Sequence, residues 1–178
     1  MTATTETTFV PSFDDDDAGD RKLAIICSKG NLDMAYPGLI LANAALGEGV
    51  ETHLFFTFWG FDMINKKTME HLKFSYLGNT AMHPPGSFAV SMPQGLAGMP
   101  GVTAMTTKML KKQIADLDIP EVPEFLEQIS ASGGHMWACR LSADMMKLHE
   151  EGLYEGVEGI ISAGDFIEMT DGAQLLFI

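Results

Sequence analysis

The sequence predicts an α/β protein: a single domain with a five-stranded, mainly parallel sheet and helices on both of its faces. Short apolar runs alternate with amphipathic stretches along most of the chain. The apolar runs are continuous rather than interrupted by polar residues, which is typical of strands buried on both faces. The 178 residues are enough for about one domain with a sizeable core.

The first half of the chain supplies two strands and a helix. The apolar run at 22–27 ends at a turn sequence and is predicted as the first strand. A helix follows, and Pro37 requires it either to begin late or to kink. The second strand is predicted at 50–58, with a short helix at 59–65.

The second half continues the alternation, with Ser142 as a good N-cap for the helix after the third strand. Its predicted elements are helices at 103–117 and 122–132, a strand at 135–139, a helix at 143–150, a strand at 159–163, a helix at 165–173 and a strand at 175–178. Strands separated by helices in this way predict the parallel sheet.

An insertion without charged residues, at about 74–107, separates the two halves. Its segment 78–102 holds five glycines, four prolines and Met82, Met92 and Met99, a composition that disfavours helix and strand. Long apolar loops are seldom left in water. We therefore expect the insertion to be covered, as a lid over the strand ends or against another copy of the chain.

Charge is unevenly distributed, with 24 acidic and 11 basic residues and a net charge of −13. Residues 1–20 hold six of the acidic residues and no basic one, which leaves −7 for the rest. We predict a disordered acidic tail at 1–20, either a docking segment or a solubilising one, followed by a domain at 21–178. The acidic balance argues against nucleic-acid binding and against a polybasic membrane anchor.

The two cysteines, Cys27 and Cys139, are too few and too far apart for a disulfide framework or a paired zinc site. The histidines show no metal-binding spacing, and no glycine-rich loop for a nucleotide follows the first strand, so we expect no metal and no cofactor. The start of the chain lacks the pattern of a signal peptide, and no apolar run is long enough to span a membrane. A reducing cytoplasm is therefore the expected location.

Both cysteines fall at the carboxyl end of a predicted strand, where reactive groups gather in parallel α/β folds. Arg140 and the helix start at Ser142 are candidates to stabilise a Cys139 thiolate. Lys29 and Gly30 are weaker candidates beside Cys27. His135 lies four strand residues from Cys139, roughly 13 Å, and is not expected to be its base.

Three stretches carry a family resemblance: 28–64, which contains FFTFWG; 137–146, which contains ACRLS; and 159–178. They resemble the DsrE/DsrF-like family of sulfur-relay proteins, and the long insertion is similar to that of the larger branch, which bears a peroxiredoxin label. The resemblance implies a five-stranded parallel fold, homo- or hetero-oligomers, and a cysteine that carries sulfane sulfur as a persulfide. By motif position that cysteine is Cys139, whereas Cys27 matches no position of the family's chemistry.

Three functions stay open. The first is a sulfur carrier or sulfurtransferase that moves sulfane sulfur on Cys139 between donor and acceptor proteins. The second is a thiol peroxidase or redox switch that uses Cys27 and Cys139 together, which requires α-carbons within about 7 Å. The third is a non-catalytic oligomeric binding module that acts through the insertion at 78–102.

Overall fold

The computed structural model describes residues 21–79 and 93–178, which contain the predicted five-stranded sheet. Its strands are β1 Lys22–Cys27, β2 Glu51–Phe56, β3 His135–Cys139, β4 Gly159–Ile161 and β5 Gln174–Phe177. They lie in the order β4-β3-β2-β1-β5, and every neighbouring pair is parallel. The predicted acidic tail at 1–20 and residues 80–92 of the insertion lie outside the described residues.

The helices of the described residues fall close to their predicted positions, with two corrections. They are α1 Leu32–Gly47, α2 Gln94–Ala97, α3 Val102–Asp116, α4 Val122–Ala131, α5 Arg140–Met146 and α6 Ala163–Met169. For the first helix the sequence left a late start or a kink at Pro37 open, and the late start is excluded because α1 begins at Leu32. The predicted start at 143 is also wrong, because α5 begins at Arg140, directly after β3.

The helices cover the two faces of the sheet differently. Gly38 of α1 packs so closely on β1 that an added Cβ would lie 3.4 Å from the sulfur of Cys27. On the other face, Phe166 of α6 stacks on Phe55 with ring centroids 4.5 Å apart. Paired residues of a parallel sheet point to the same face, so Phe55 and its partner Ile26 share one face. Cys27, the next residue of β1, points to the opposite face, where α1 packs. We name the two sides the α1 face and the α6 face.

The described ends of the insertion are tied to α3. The Phe74 N–H donates to Oγ1 of Thr107 at 2.9 Å, and the Thr106 hydroxyl donates to the Phe74 carbonyl at 3.2 Å. Phe74, Tyr76 and Ala97 are buried, whereas Leu77, Leu96 and Met99 are exposed by 52–61%. Within one chain, only part of this segment is therefore buried as expected. The short helix α2 was not predicted from the composition of the segment.

Candidate functional site

Cys139 is the last residue of β3 and also the N-cap of α5, so its thiol lies at the point where strand becomes helix. Its backbone is extended, with φ −71° and ψ 122°, as is usual at an N-cap. The side chain is buried, with 6% of the residue exposed. The sequence placed the cap three residues later, at Ser142, whereas in the structure the cap residue is Cys139.

Hydrogen-bond donors set the ionisation of this thiol. Burial alone raises the pKa of Cys139. The N–H and hydroxyl of Ser142, the hydroxyl of Thr57 and the N–H of Leu141 lower it, and together they bring the pKa below its ordinary value. More of this cysteine is therefore present as the thiolate, the form that attacks sulfur.

A small polar network holds these donors in place. The Phe58 N–H donates to Oγ of Ser142 at 2.8 Å, and the hydroxyl oxygens of Ser142 and Thr57 lie 3.2 Å apart. Ser142 is 1% exposed, so its hydroxyl has no competing water. The Phe58 N–H fills one acceptor site of the Ser142 oxygen, and the single hydroxyl proton of Ser142 can be donated to Thr57 or to the sulfur.

Sequence reasoning missed Thr57, although a signal for it exists. Thr57 directly follows β2, and the register pairs Phe56 with Ala138, so the next residues, Thr57 and Cys139, are neighbours across the sheet edge. Phe58 adopts a left-handed conformation, φ 46°, which a side chain seldom adopts without a compensating contact. The contact here is the N–H that reaches Ser142.

Arg140 does not have the role predicted for it. Its Nη2 donates to the carbonyl of Ile160, the middle residue of β4, at 2.8 Å. It also contributes to a lowered pKa of Asp165, behind larger contributions from the Ser162 hydroxyl and N–H. Uncharged donors, and not Arg140, stabilise the Cys139 thiolate.

Cys27 ends β1 as predicted, but its surroundings are apolar. The thiol is buried against α1, and this burial raises its pKa to about 12. Cys27 pairs with Phe56 and Phe56 with Ala138, so Cys139 lies one residue beyond and points to the opposite, α6 face. The two cysteines are also two strands apart, about 10 Å. The structure does not bring them together.

The other two candidates, Lys29 and Gly30, lie in the turn that follows Cys27. A Cβ on Gly30 would lie 2.4 Å from the Trp59 carbonyl, so only glycine lets this turn approach the segment after β2. Lys29 is exposed and lies near Asp33. A cavity of about 400 Å³ opens beside this turn, lined by Gly30, Asn31, Trp59, Asp62, Thr68, His71, Leu72 and Lys73.

His135 is occupied at the far end of β3. Its Nδ1 lies 2.7 Å from Oε1 of Glu158, and its ring stacks on His53 at 4.7 Å. The indole N–H of Trp137 donates to Nδ1 of His53 at 3.4 Å. These contacts agree with the expectation that His135 is not the base for Cys139.

Apolar side chains surround the mouth of the site. Phe58 and Trp59, just beyond Thr57, are 50% and 64% exposed. Leu141 and Met145, one turn apart on α5, are 70% and 53% exposed. Exposed aromatic residues beside a buried reactive group are typical of a surface that another protein covers.

Two further findings concern the described residues only. Within residues 21–79 and 93–178, no group of three or more His, Cys, Asp or Glu side chains could hold a metal ion. In the same part of the chain, no helix has both the length and the apolar character needed to cross a membrane.

Fold and site together define a parallel α/β protein with one activated thiol at a strand end and a serine where a second cysteine of a Cys-x-x-Cys pair would lie. The chain belongs to the DsrE/DsrF/DrsH-like family, whose model matches residues 19–177. The family resemblance found in the sequence is thereby confirmed.

Two relatives match most of the chain. The sulfur carrier protein DsrE2 of Allochromatium vinosum is 34% identical over 87% of this chain and 96% of its own length. The uncharacterized protein YrkE of Bacillus subtilis is 26% identical over 89% of this chain and 97% of its own length.

Two solved structures share the fold at low sequence identity. The protein of unknown function MTH1491 from Methanobacterium thermoautotrophicum has a TM-score of 0.54 at 10% identity, covering 89% of this chain and all of that one. The ychN protein of E. coli has a TM-score of 0.50 at 13% identity, covering 89% of this chain and 99% of its own.

Proposed function

We propose that this protein is a sulfur carrier that holds sulfane sulfur as a persulfide on Cys139 and passes it from a donor to an acceptor protein. The observation that carries the proposal is the Cys139 thiol, whose pKa is lowered by donors from Ser142, Thr57 and Leu141 in spite of burial. Membership of the family and the 34% identity to a protein named a sulfur carrier support it.

The chemistry is two successive displacements at sulfur. The Cys139 thiolate attacks the outer sulfur of a donor persulfide, the new S–S bond forms, and the donor leaves as a thiolate with its electron pair. An acceptor thiolate then attacks the outer sulfur on Cys139, and Cys139 leaves in turn. No net oxidation or reduction takes place in either step.

Lowering the pKa matters most in the second step. A thiolate with a lowered pKa is a weaker nucleophile but a better leaving group, so the donors around Cys139 favour release of the sulfur. Ser142 cannot form a disulfide, so no neighbouring thiol discharges the persulfide before an acceptor arrives. These features suit a carrier.

The partners are expected to be proteins that bear a thiol or a persulfide. Cys139 is 6% exposed, whereas Phe58 and Trp59 beside it are exposed, so a partner has an apolar surface to contact around a recessed sulfur. Free thiols persist in a reducing compartment, and we place the reaction in the cytoplasm.

Intact-mass measurement after incubation with polysulfide tests the proposal. Wild type is expected to gain the mass of one or more whole sulfur atoms, and a reductant is expected to remove them. Cys139→Ser is expected to gain none, whereas the matched variant Cys27→Ala gains as much as wild type. An unmodified wild type, or equal gain by Cys139→Ser, overturns the assignment.

A further inference from the structure

A groove along α3 concentrates positive charge on an acidic protein. It lies between the first half of α3 and residues 70–73, and its volume is about 570 Å³. Lys73, Lys108 and Lys111 line it, so three of the 11 basic residues of the chain share one groove. The amino end of α3, at Gly101, borders the groove and adds partial positive charge. We call this feature the lysine groove.

The charge of these lysines is not neutralised by described carboxylates. Within residues 21–79 and 93–178, the lysines that form ion pairs are Lys22, Lys66 and Lys112. Lys111 donates instead to the backbone carbonyl of Glu70 at 2.9 Å. Among the described residues that line the groove, Glu70 is the only acidic one. The lysine groove can therefore accept negative charge from a ligand.

The lysine groove is connected to the surroundings of the thiol by the cavity of about 400 Å³ beside the turn after β1. Residues 71–73 line both the cavity and the groove. The cavity also reaches Trp59, which lies two residues after Thr57. The Thr57 hydroxyl is one of the donors to the Cys139 sulfur. A ligand that follows this path extends from the lysines toward the thiol.

We propose that the lysine groove binds a short acidic segment of the protein that exchanges sulfur with Cys139, and that an uncharged linker joins this segment to the partner's thiol. The inference rests on the proposed sulfur-carrier function and adds the chemistry by which a partner is recognised. Asp62 lines the connecting cavity, so the linker that passes it is uncharged. Glu121 and Glu124 line the surface beyond Lys111, so the acidic run is short.

Charge favours a single extended segment over a large anionic surface. The chain as a whole has a net charge of −13, so a nucleic-acid duplex or an anionic membrane is repelled wherever it extends past the groove. A segment that is one chain wide contacts the groove alone. About six extended residues span about 20 Å, which is enough for a short acidic run and a linker.

Peptide binding tests the groove apart from the sulfur chemistry. The probes are the rhodamine-labelled peptides CGGEEEE and CGGQQQQ with blocked cysteines, together with their reversed sequences, titrated into Cys139→Ser at low salt and followed by fluorescence anisotropy. The better acidic peptide is expected to bind on the order of tenfold more tightly than its uncharged counterpart. Without the groove, the net charge of the protein gives the opposite order.

Single charge reversals locate the binding. Lys73→Glu and Lys108→Glu are each expected to remove most of the preference for the acidic peptide. Lys112→Glu is the matched control, because it makes the same charge change on α3 at a residue that pairs with Asp116 at 3.7 Å and does not line the groove. It is expected to keep the preference. Circular dichroism checks that each variant is folded, and Lys73→Glu decides if Lys108→Glu is not.

A thiol-exchange rate tests the connection to Cys139. The same peptides, with cysteines activated as mixed disulfides of thionitrobenzoate, are mixed with Cys27→Ala. The Cys139 thiolate attacks the peptide sulfur, a new S–S bond forms, and thionitrobenzoate leaves with the electron pair. The acidic peptide is expected to react on the order of tenfold faster than the uncharged one, and added salt is expected to reduce the difference.

Equal binding of the two peptides, equal exchange rates, or an equal loss of preference in Lys108→Glu and Lys112→Glu overturns the proposal. Polysulfide loading of Cys139 without any preference for the acidic peptide overturns the groove and leaves the sulfur-carrier function standing. A preference that Lys108→Glu removes, in a protein that polysulfide does not load, overturns the sulfur-carrier function and with it the sulfur partner.

Discussion

Burial raises the pKa of both cysteine thiols, and only at Cys139 do hydrogen-bond donors reverse the effect. The donors at Cys139 come from two separate segments, the start of α5 and the residue after β2. The Cys27 thiol is buried beneath α1, and this burial raises its pKa to about 12. The difference between the two residues is therefore one of neighbours and not of position along a strand.

Removing the Thr57 hydroxyl is expected to make Cys139 less reactive near neutral pH. Thr57→Val keeps the side-chain shape but removes a donor that stabilises the thiolate, so the pKa of Cys139 rises. We expect alkylation by iodoacetamide at pH 7 to slow by roughly two- to threefold, because the smaller thiolate fraction is partly offset by the higher nucleophilicity of a more basic thiolate. The rate is measured from pH 5 to 10 by mass spectrometry in a Cys27→Ala background.

The control for this experiment is Thr103→Val, a threonine of α3 outside the thiol site. Its alkylation profile is expected to match that of the parent. If Thr57→Val also reacts with the parental profile, the Thr57 hydroxyl does not stabilise the thiolate.

Cys27 is expected to make the protein less stable at alkaline pH. The folded state keeps this thiol protonated to about pH 12, whereas the unfolded chain ionises it near 8.5. Its stabilising contribution is therefore complete below about pH 8.5 and is lost as the pH rises toward 12, at about 1.4 kcal/mol per unit. Between pH 8 and 10 wild type is expected to lose roughly 2 kcal/mol more than Cys27→Ala.

Denaturant unfolding at the two pH values measures this difference. Cys27→Ala is less stable in absolute terms because it leaves a small cavity, so the comparison is between the pH dependences and not the stabilities. Tyrosines ionise equally in both proteins and cancel. Parallel pH dependences would show that Cys27 is not held protonated by the fold.

Residue types predicted part of this site. Cys139 and Ser142 are three positions apart in a recognisable motif, so sequence reasoning found them. Thr57 lies more than 80 positions away and joins them only because β2 and β3 are neighbours in register. Arg140 was expected to act because it is next to Cys139 in the chain, but the turn into α5 directs its guanidinium to Ile160.

The segment that follows β2 is an element held by close backbone contacts. It forms a 3₁₀ helix at Phe58–Met63, close to the short helix predicted for this region. A Cβ on Gly60 would lie 2.0 Å from the carbonyl oxygen of Cys27, and the Thr57 N–H donates to this oxygen at 3.0 Å. The position of Thr57 and Phe58 at the thiol therefore depends on a glycine two residues further on.

Gly60→Ala is expected to destabilise the fold and disturb the thiol together. The added methyl group meets backbone, which cannot rotate away, so the 3₁₀ helix has to shift. We expect a loss of about 1–3 kcal/mol in the free energy of unfolding and slower alkylation of Cys139. Denaturant unfolding and the alkylation assay measure the two effects.

Gly95→Ala is the control, because a Cβ there meets nothing within 4 Å. In α2 this change is expected to be neutral or slightly stabilising, with no effect on Cys139. Equal stability of the two variants would contradict the close packing of Gly60.

Among the secondary-structure elements, the sequence predicted the strands more accurately than the point where a strand turns into a helix. The apolar runs of β1 and β3 gave strands with the observed bounds, since burial on both faces demands apolar side chains. The start of α5 was misplaced because Ser142 is a good cap by residue type. The observed start at Arg140 follows from the direct turn out of β3, which makes Cys139 the N-cap residue.

At the scale of the whole molecule, the sheet register separates the two thiols. Their strand-end positions followed from the apolar runs, but the face to which each side chain points did not. Side chains alternate along a strand, so a difference of one residue in register between β1 and β3 reverses the face. That register is set by β2 and its packing between them, which no local pattern encodes.

Oxidation is therefore not expected to join Cys27 to Cys139. The two sulfurs lie on opposite faces and two strands apart, so a disulfide would require the sheet to open. Wild type is expected to gain oxygen on Cys139 when treated with peroxide and to link between chains when treated with diamide, in both cases without a monomeric species that has lost two hydrogens. Intact mass under non-reducing conditions distinguishes these products.

Ser142→Cys supplies the positive control. Ser142 is three residues after Cys139, at the spacing of the second cysteine in a Cys-x-x-Cys pair, so a thiol there can form the disulfide of such a pair. This variant is expected to lose two hydrogens as a monomer, and to release sulfide when its Cys139 persulfide is attacked at the inner sulfur. A monomeric Cys27–Cys139 disulfide in wild type would contradict this arrangement, because the sheet would have to rearrange to form it. It would support the function that uses both thiols.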